Sequence, residues 1–544
     1  MAEAAAQAGR PAARERRFRP RDLAHVQVNP WLIAITVSLA TFMEVMDTSI
    51  ANVALRHIAG SLAAGQSEST WVLTSYLVSN AIILPISGWL ASVMGRKRFY
   101  MTCVATFTVS SFLCGIAPSL PMLLFFRVLQ GAGGGGLAPS EQSILADTFS
   151  PQKRGQAFAL YGVAVVVAPA IGPALGGWIT DNWSWRWIFF INIPVGILSL
   201  VLTYFLVQDS ESAKKEHEQV WKNGLKVDYL GFGLLAVGLG CLQVVLDKGQ
   251  EDDWFGSNFI TTMAILSAVG IIGTIIWEFI TENPIVDLPL FKDLGFFFTC
   301  IVMFAVFFIL LATTQLLPQL VQQLFHYDAT KAGLILMPGG FFIMMLMPLV
   351  GFLVNKVQPK WLIVFGLLVE AASMEYLTHL DLNASFWTIA WARVFQAGGL
   401  AFLFVPINTV AYVGLPAGKS NNASALINAM RNLGGSVGIS FVTTSLERRS
   451  QFHQNRLIGN LAPYHSSYLQ AISHATTRFM QHGSDAAGAS SRAIASLYQT
   501  LQGQATMLSY IDVFRMLAIG SLLAIGLAVF LKRMNPGEKP AGGH

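Results

Sequence analysis

Long apolar runs separated by short polar breaks dominate the chain, and about 20 mostly apolar residues are enough to carry a helix across a membrane. Fourteen runs meet that length: 31–55, 70–93, 99–118, 121–146, 156–179, 186–207, 226–246, 258–280, 295–317, 330–354, 361–379, 385–412, 421–446 and 510–531. The pattern predicts an all-α polytopic membrane protein. One run is unusual within it. Gly162 to Gly177 reads GVAVVVAPAIGPALGG, with two prolines, four glycines and no charge. Such content breaks a soluble helix, whereas a membrane helix tolerates it because neighbouring helices satisfy the backbone groups that proline leaves unpaired. Ala168, Gly172 and Gly176 recur every fourth residue beside Pro169, Pro173 and Gly177, which predicts one smooth face for close packing and bending.

The polar breaks alternate in charge. Arg96, Lys97 and Arg98 fill one, Lys153 and Arg154 the next on that side, then Lys214, Lys215, Lys222 and Lys226. Lys356, Lys360, Lys419, Lys532 and Arg533 continue the series, while one opposite break is acidic, with Glu251, Asp252 and Asp253. Positive residues mark the cytoplasmic side, so both termini are expected there, as an even number of spans requires. The arginine-rich residues 1–30 then form a retained cytoplasmic tail and 532–544 a second one. Residues 447–509 break the rule with Arg448, Arg449, Arg456, Arg478 and Arg492, but a segment of that length escapes it. Their Ala, Gln and Ser content predicts helical pieces on the periplasmic side, either simply solvated or offering a docking surface.

A repeat organises the spans. FFRVLQGAGGGGLAP (Phe125 to Pro139) is answered near an offset of 265 by WARVFQAGGLAFLFVP (Trp391 to Pro406), and Pro85 to Lys97 by Pro348 to Lys360. This predicts an N-terminal six-helix half at 31–207, a linker with two extra spans at 208–280, and a C-terminal six-helix half at 281–531. Parallel repeats of this kind hold their substrate site near the bilayer midplane between the halves.

Composition agrees and narrows the classes. Charged residues are 12% and hydrophobic residues 53% of 544, with mean hydropathy +0.53. The net charge of +5 is spent at membrane edges, which argues against nucleic-acid binding. Cys103, Cys114, Cys241 and Cys300 lie in apolar runs without the spacing of a disulfide framework or a metal site. GLPAGKS (Gly414 to Ser420) is one residue short of a phosphate-binding loop, and Gly131, Gly133 and Gly136 sit inside a membrane helix, so nucleotide and dinucleotide binding both fail on context. No cofactor or metal is expected. A membrane enzyme lacks any polar loop with a catalytic cluster.

Ionisable groups inside spans are costly and mark function. Glu44 and Asp47, three apart on the first span, face nearly the same way, and two such carboxylates resist double ionisation. Arg127 on the fourth span is positioned to oppose them. Asp47 either exchanges a proton or pairs permanently with a polar neighbour. Glu370, Glu375 and His379 share the eleventh span, with Glu375 and His379 one turn apart. Glu141 and Arg431 read as span-end residues whose side chains snorkel, and Arg393 as an anchor of the second half.

These motifs resemble one family, the major facilitator superfamily, and within it the fourteen-span drug:proton antiporters. The residues that carry the resemblance are MDTSIANVAL (Met46 to Leu55), GWLASVMGRKR (Gly88 to Arg98), FFRVLQG (Phe125 to Gly131), the Gly162 to Gly177 run and WRWIFFINIPVG (Trp185 to Gly196). The resemblance implies two six-helix halves, a coupling or substrate role for Asp47, and a relay role for Arg127 with Gln130 and Gly131 beside it. It implies a turn built on Gly88, Gly95, Arg96 and Lys97, and a hinge or seal at Pro169, Gly172, Pro173, Gly176 and Gly177. At Ser92 the family usually has an acid that clamps the cytoplasmic side, so that clamp is not expected here. The function implied is proton-driven export of hydrophobic drugs, with a periplasmic membrane-fusion adaptor and an outer-membrane channel as partners. A proton-linked nutrient importer of the same fold is the alternative.

Overall fold

The computed structural model describes residues 29–531 apart from 223–226, 282–283, 414, 416–418 and 462–465. Both expected tails, with Lys532 and Arg533, and the linker residue Lys226 lie outside the described residues. Among those described there is no strand. The first half comprises α1 (Pro30–Ser61), α2 (Gln66–Ser69), α3 (Trp71–Met94), α4 (Arg96–Ile116), α5 (Leu120–Gly134), α6 (Leu137–Thr148), α7 (Pro151–Asn182), α8 (Trp187–Phe190) and α9 (Asn192–Leu206). A short α10 (Glu211–Lys222) leads to the inserted α11 (Tyr229–Lys248) and α12 (Asn258–Ile280). The second half comprises α13 (Leu294–Leu324), α14 (Ala329–Leu353), α15 (Pro359–Leu377), α16 (Phe386–Ala411), α17 (Ser420–Ile458), α18 (Ser466–Gln481) and α19 (Ala486–Ala528).

Each expected span coincides with one of these helices or with a broken pair. Ten helices among the described residues are long and apolar enough to cross a membrane, and α7 makes an eleventh if its two arms, bent by 42° between Pro169 and Ile171, count as one span. The other three expected spans fall on α5 with α6, on α15 and on α17. The first is interrupted at Gly135–Gly136, the second carries Lys360, Glu370 and Glu375, and the third is rich in Asn and Ser. Fourteen crossings are consistent with this arrangement.

Local chemistry sets the helix ends. Asn29 Oδ1 accepts from Trp31 N at 3.0 Å with Pro30 behind it, and Asp228, Asp293 and Asp328 cap α11, α13 and α14 in the same way. Packing then follows small residues. Gly434 and Gly438 of α17 lie directly on the Phe304 and Phe308 carbonyls of α13, closer than any side chain would allow. α7 packs on α1 and on α14, and α3 packs on α17, so two long seams join the halves. Residues 447–509 are helical in the described part apart from a turn at His482–Asp485. α17 runs on to Ile458, α19 starts at Ala486, and α18 packs along α19. His453 bonds Asp512 at 2.9 Å at the base of this extension.

Candidate functional site: buried charges at the seam between two halves

The fully buried pair Asp47 and Arg127 anchors the first half. Arg127 Nη1 donates to Asp47 Oδ2 at 2.6 Å, and neither side chain is more than 1% exposed. Asp47 Oδ1 accepts from Asn192 Nδ2 at 2.6 Å and from Gln130 Nε2 at 3.1 Å. The arginine in turn donates to Gln130 Oε1 at 2.8 Å and to the Val72 carbonyl at 3.0 Å. Its remaining face lies over the Tyr76 ring, 4.5 Å from the centroid. A carboxylate with three donors and a bidentate-capable partner is compensated in place. Of the two sequence readings for Asp47, this structure has it paired.

Glu44 does not share that pocket. Three residues separate the two acids, which leaves them about 60° apart around the helix axis, enough to change neighbours. Glu44 Oε1 instead accepts from the Tyr76 hydroxyl at 2.8 Å and from Asn80 Nδ2 at 3.4 Å on α3. Tyr76 is the bridge between the sites, with its ring on Arg127 and its hydroxyl on Glu44.

Glu141 corrects an expectation. It is not a snorkelling span-end residue but is fully buried on α6, where Ser38 Oγ donates to its Oε1 at 2.5 Å. The break at Gly135–Gly136 turns α6 inward, so a position late in the run lies deep. Arg431 is not free to snorkel either. From α17 it donates to the Tyr161 hydroxyl of α7 and covers the Phe307 ring, while Asn432 Nδ2 donates to Asn80 Oδ1 at 3.1 Å. The two hydrogen bonds cross between the halves.

The second half repeats part of the first. Arg393 Nη1 donates to Gln396 Oε1 at 2.5 Å, just as Arg127 does to Gln130, and Gln396 Nε2 donates to Glu370 Oε1 at 2.9 Å. Arg393 is thus a buried partner in a charge cluster rather than a bare anchor. Its acid comes from α15, not from the first helix of the half. Glu375 stands apart. It is 52% exposed at the end of α15 with His379 4.0 Å away, and it joins no buried cluster.

The Gly162 to Gly177 run lies at the seam. A Cβ on Gly172 would sit 2.6 Å from Ser49 Cβ, and one on Gly176 3.2 Å from Ile50 Cα, so α7 and α1 touch nearly backbone to backbone. Gly177 has more room, with Thr330 at 3.6 Å. Pro173 cannot donate to the carbonyl one turn earlier, and Ser49 Oγ supplies that bond to Pro169 O at 3.2 Å. On the other flank of α7, a Cβ on Gly333 of α14 would sit 2.9 Å from Ala174 N.

At the basic-loop end the halves close on each other. Gly88 lies against Asn422 of α17, leaving 3.0 Å between an added Cβ and its Cα; within the first half, Gly131 of α5 lies tighter still on the Tyr76 carbonyl of α3. Gly95 turns the chain at φ 83°, a left-handed geometry that suits glycine. Arg96 pairs with Asp147 at 2.6 Å, and Lys97 holds the Tyr204 carbonyl at 2.7 Å. The Ser92 hydroxyl bonds within its own turn, at Trp89 O. α10 lies across this corner. His217 Nδ1 meets the Ser92 carbonyl at 3.1 Å, Trp221 Nε1 donates to the Val93 carbonyl at 3.1 Å, and Asn421 Nδ2 of α17 donates to Glu216 at 3.5 Å. Burial pushes the Glu216 carboxyl up to about 7, against the pull of Arg96 and Lys419. Among the described residues no cluster suited to a metal ion occurs.

Sequence reasoning missed Tyr76, Asn80, Asn192, Tyr161, Gln142 and Glu216. Asn192 had a signal, since it lies inside the WRWIFFINIPVG motif, but nothing in the motif says which helix it faces.

Known proteins agree with this architecture. The Multidrug export protein EmrB of Haemophilus influenzae is 41% identical, with 82% of this chain and 86% of that protein covered. The protein of the same name from Escherichia coli strain K12 is 36% identical, with 92% and 95% covered. The Fatty acid resistance protein FarB of Neisseria gonorrhoeae is 38% identical over 83% and 87%. Among solved structures, the human organic anion transporter MFSD10 superposes with a TM-score of 0.58 at 12% identity, covering 92% of this chain and all of that one, a likeness of fold. The profile described as Major Facilitator Superfamily matches residues 37–439. With that match, these relatives and two helical halves sealed around buried charges, the chain belongs to the major facilitator superfamily.

Proposed function

We propose that this chain is a proton-driven multidrug exporter of a bacterial inner membrane, working by alternating access between its two halves. The observation that carries the reading is the identity of 36–41% to proteins named for multidrug export, over most of both chains. The buried charges give it a mechanism. Asp47 and Arg127 form the coupling pair of the first half, and Glu370 with Arg393 and Gln396 its counterpart in the second. The bent α7, packed between α1 and α14, is the element on which the halves rock. Moving one charge down a membrane potential releases about 2.3 kcal/mol per 100 mV, enough to sustain a substrate gradient without nucleotide hydrolysis. Both termini lie in the cytoplasm on this reading, and the extension at 447–509 faces the periplasm. There it meets a membrane-fusion adaptor of the EmrA kind, with an outer-membrane channel of the TolC kind beyond. The domains are the six-helix halves at 31–207 and 281–531 and the linker with its two extra helices at 208–280.

A susceptibility panel in a pump-deficient host, with and without a cognate adaptor, tests the export reading. A long-chain fatty acid and ethidium are its two probes. Export predicts protection and, in respiring everted vesicles, partial collapse of the proton gradient when substrate is added. A chain that sensitises the host, or leaves the gradient untouched, is no exporter of this kind.

A further inference from the structure

Three buried carboxylates near the seam are not equivalent. Asp47 has a guanidinium at 2.6 Å and two amide donors. Glu44 and Glu141 have no basic side chain in contact. Glu44 is held by the Tyr76 hydroxyl and the Asn80 amide, and Glu141 by Ser38 Oγ with the Thr41 hydroxyl beside it. The second oxygen of Glu141, Oε2, is buried without a hydrogen-bond partner, as is the nearby Thr41 hydroxyl. Ser38 and Thr41, one turn apart on α1, face Glu141 of α6, and Glu44, a further turn on, faces α3. Glu141 lies in the field of Glu44, and Glu44 in turn in the field of Asp47.

One cation reaches both. Arg431 belongs to the other half, and its field falls on Glu44 and on Glu141. Its guanidinium, however, bonds the Tyr161 hydroxyl and not a carboxylate. Tyr100 of α4 and Tyr161 are the remaining titratable groups facing Glu141, and Tyr100 is occupied by the Val37 carbonyl at 2.9 Å. An unpaired carboxylate in a dry interior is costly, and holding a proton removes the cost. The natural discharging partner is therefore a cation whose distance changes when the halves move.

We infer that Glu141, with Glu44 beside it, is a second proton-carrying site, distinct from the Asp47–Arg127 pair and discharged when Arg431 of the opposite half closes on it. The inference rests on the proton-driven reading above and adds to it. In the arrangement seen here Arg431 is parked on Tyr161, and the two acids hold protons. Rocking about α7 shifts Tyr161 and frees Arg431 toward α6. A proton leaves Glu141 as the guanidinium replaces it, and the carboxylate is recharged when the halves return. Because the two acids interact, they titrate as a pair.

Infrared difference spectroscopy of the full chain in lipid, between acid and alkaline pH, reads the protonated carboxyls directly. Wild type should show C=O stretch bands of buried acids, with one lost in Glu141→Gln and a different one in Glu44→Gln. Counted as protons released over the same pH change, each variant should fall short of wild type by about one. Glu141→Asp, which keeps the group, should restore the count with a shifted midpoint, a rescue that a purely structural role would not give. Thermal melting of each variant confirms folding. If Glu141→Gln leaves both bands and proton count unchanged, Glu141 carries no proton and the inference falls, whatever the everted vesicles show. If wild type shows the bands while added substrate leaves the vesicle gradient untouched, the antiport reading falls and takes the transport role of Glu141 with it.

Discussion

Gln142 of the first half and Asn408 of the second, 266 residues apart, are joined by a 3.1 Å hydrogen bond from Gln142 Nε2 to Asn408 Oδ1. The same offset relates Arg127 to Arg393 and Gln130 to Gln396. The bond joins α6 of the first half to α16 of the second, so any rocking of the halves must act on it. Gln142 Oε1 also accepts from Asn428 Nδ2 at 2.6 Å and Ser424 Oγ at 3.2 Å. Gln142→Ala removes the donor to Asn408 Oδ1 and one of the two acceptors of Asn428 Nδ2, at about 1–3 kcal/mol each before relaxation. Lower thermal stability is expected, together with a strongly non-additive cycle with Asn428→Ala, because the two act in one network.

The Asp47–Arg127 pair makes an asymmetric prediction. Removing either partner strands the other charge in a fully buried site and costs about 3–5 kcal/mol. Asp47→Asn and Arg127→Gln should each lower the melting temperature, and the double substitution should recover most of the loss. Transport should not recover, since the charge is gone. A double variant that pumps like wild type removes this pair from the coupling mechanism.

How much of this was legible beforehand depends on what kind of information each residue carries. The repeat was visible because Arg-Val-x-Gln recurs, and the structure turns it into the same arginine-to-glutamine bond in each half. The close face of α7 was visible because glycine spacing is a property of one helix. Glu44, Glu141 and Glu375 were not, because their environments belong to neighbouring helices. Sequence distance grouped Glu44 with Asp47, yet α3 claims one and α5 with α9 the other. Position near a span end made Glu141 look peripheral until the break before α6 carried it inward, whereas Glu375, inside an apparent span, emerges at the surface. Glu216 was out of reach altogether, since its partners lie on α17, roughly 200 residues away in sequence.

Along α7 the glycines should separate by available space. Gly172→Ala forces a Cβ onto Ser49, and overpacking of that kind costs about 1–3 kcal/mol. Gly177→Ala meets only ordinary contact and should be silent. Efflux assays on both, at matched expression, are expected to show loss in the first alone. Ser49→Ala should also impair transport, because it strips the Pro169 carbonyl of the side-chain donor that reaches it from α1. Equal efflux in all three would reduce the segment to plain packing.

The α10 corner predicts a pH dependence whose sign follows from the Glu216 carboxyl, raised by burial from 4.5 to about 7. A docked group with a higher pKa than its free form favours docking when protonated. Its contribution is therefore fullest below about 4.5 and fades as pH rises through about 7. α10 holds Ser92 and Val93 of the first half through His217 and Trp221, and Asn421 of the second through Glu216, so its docking ties the halves at the basic-loop end. Hydrogen exchange in α10 should accelerate between pH 5.5 and 7.5 beyond the intrinsic chemical rate. Glu216→Gln, a mimic of the protonated acid, should stay protected across that window. His217 is the other ionisable side chain of α10 at this corner, so His217→Asn serves as the control. A pH step that persists in Glu216→Gln and vanishes in His217→Asn would assign the dependence to the histidine instead.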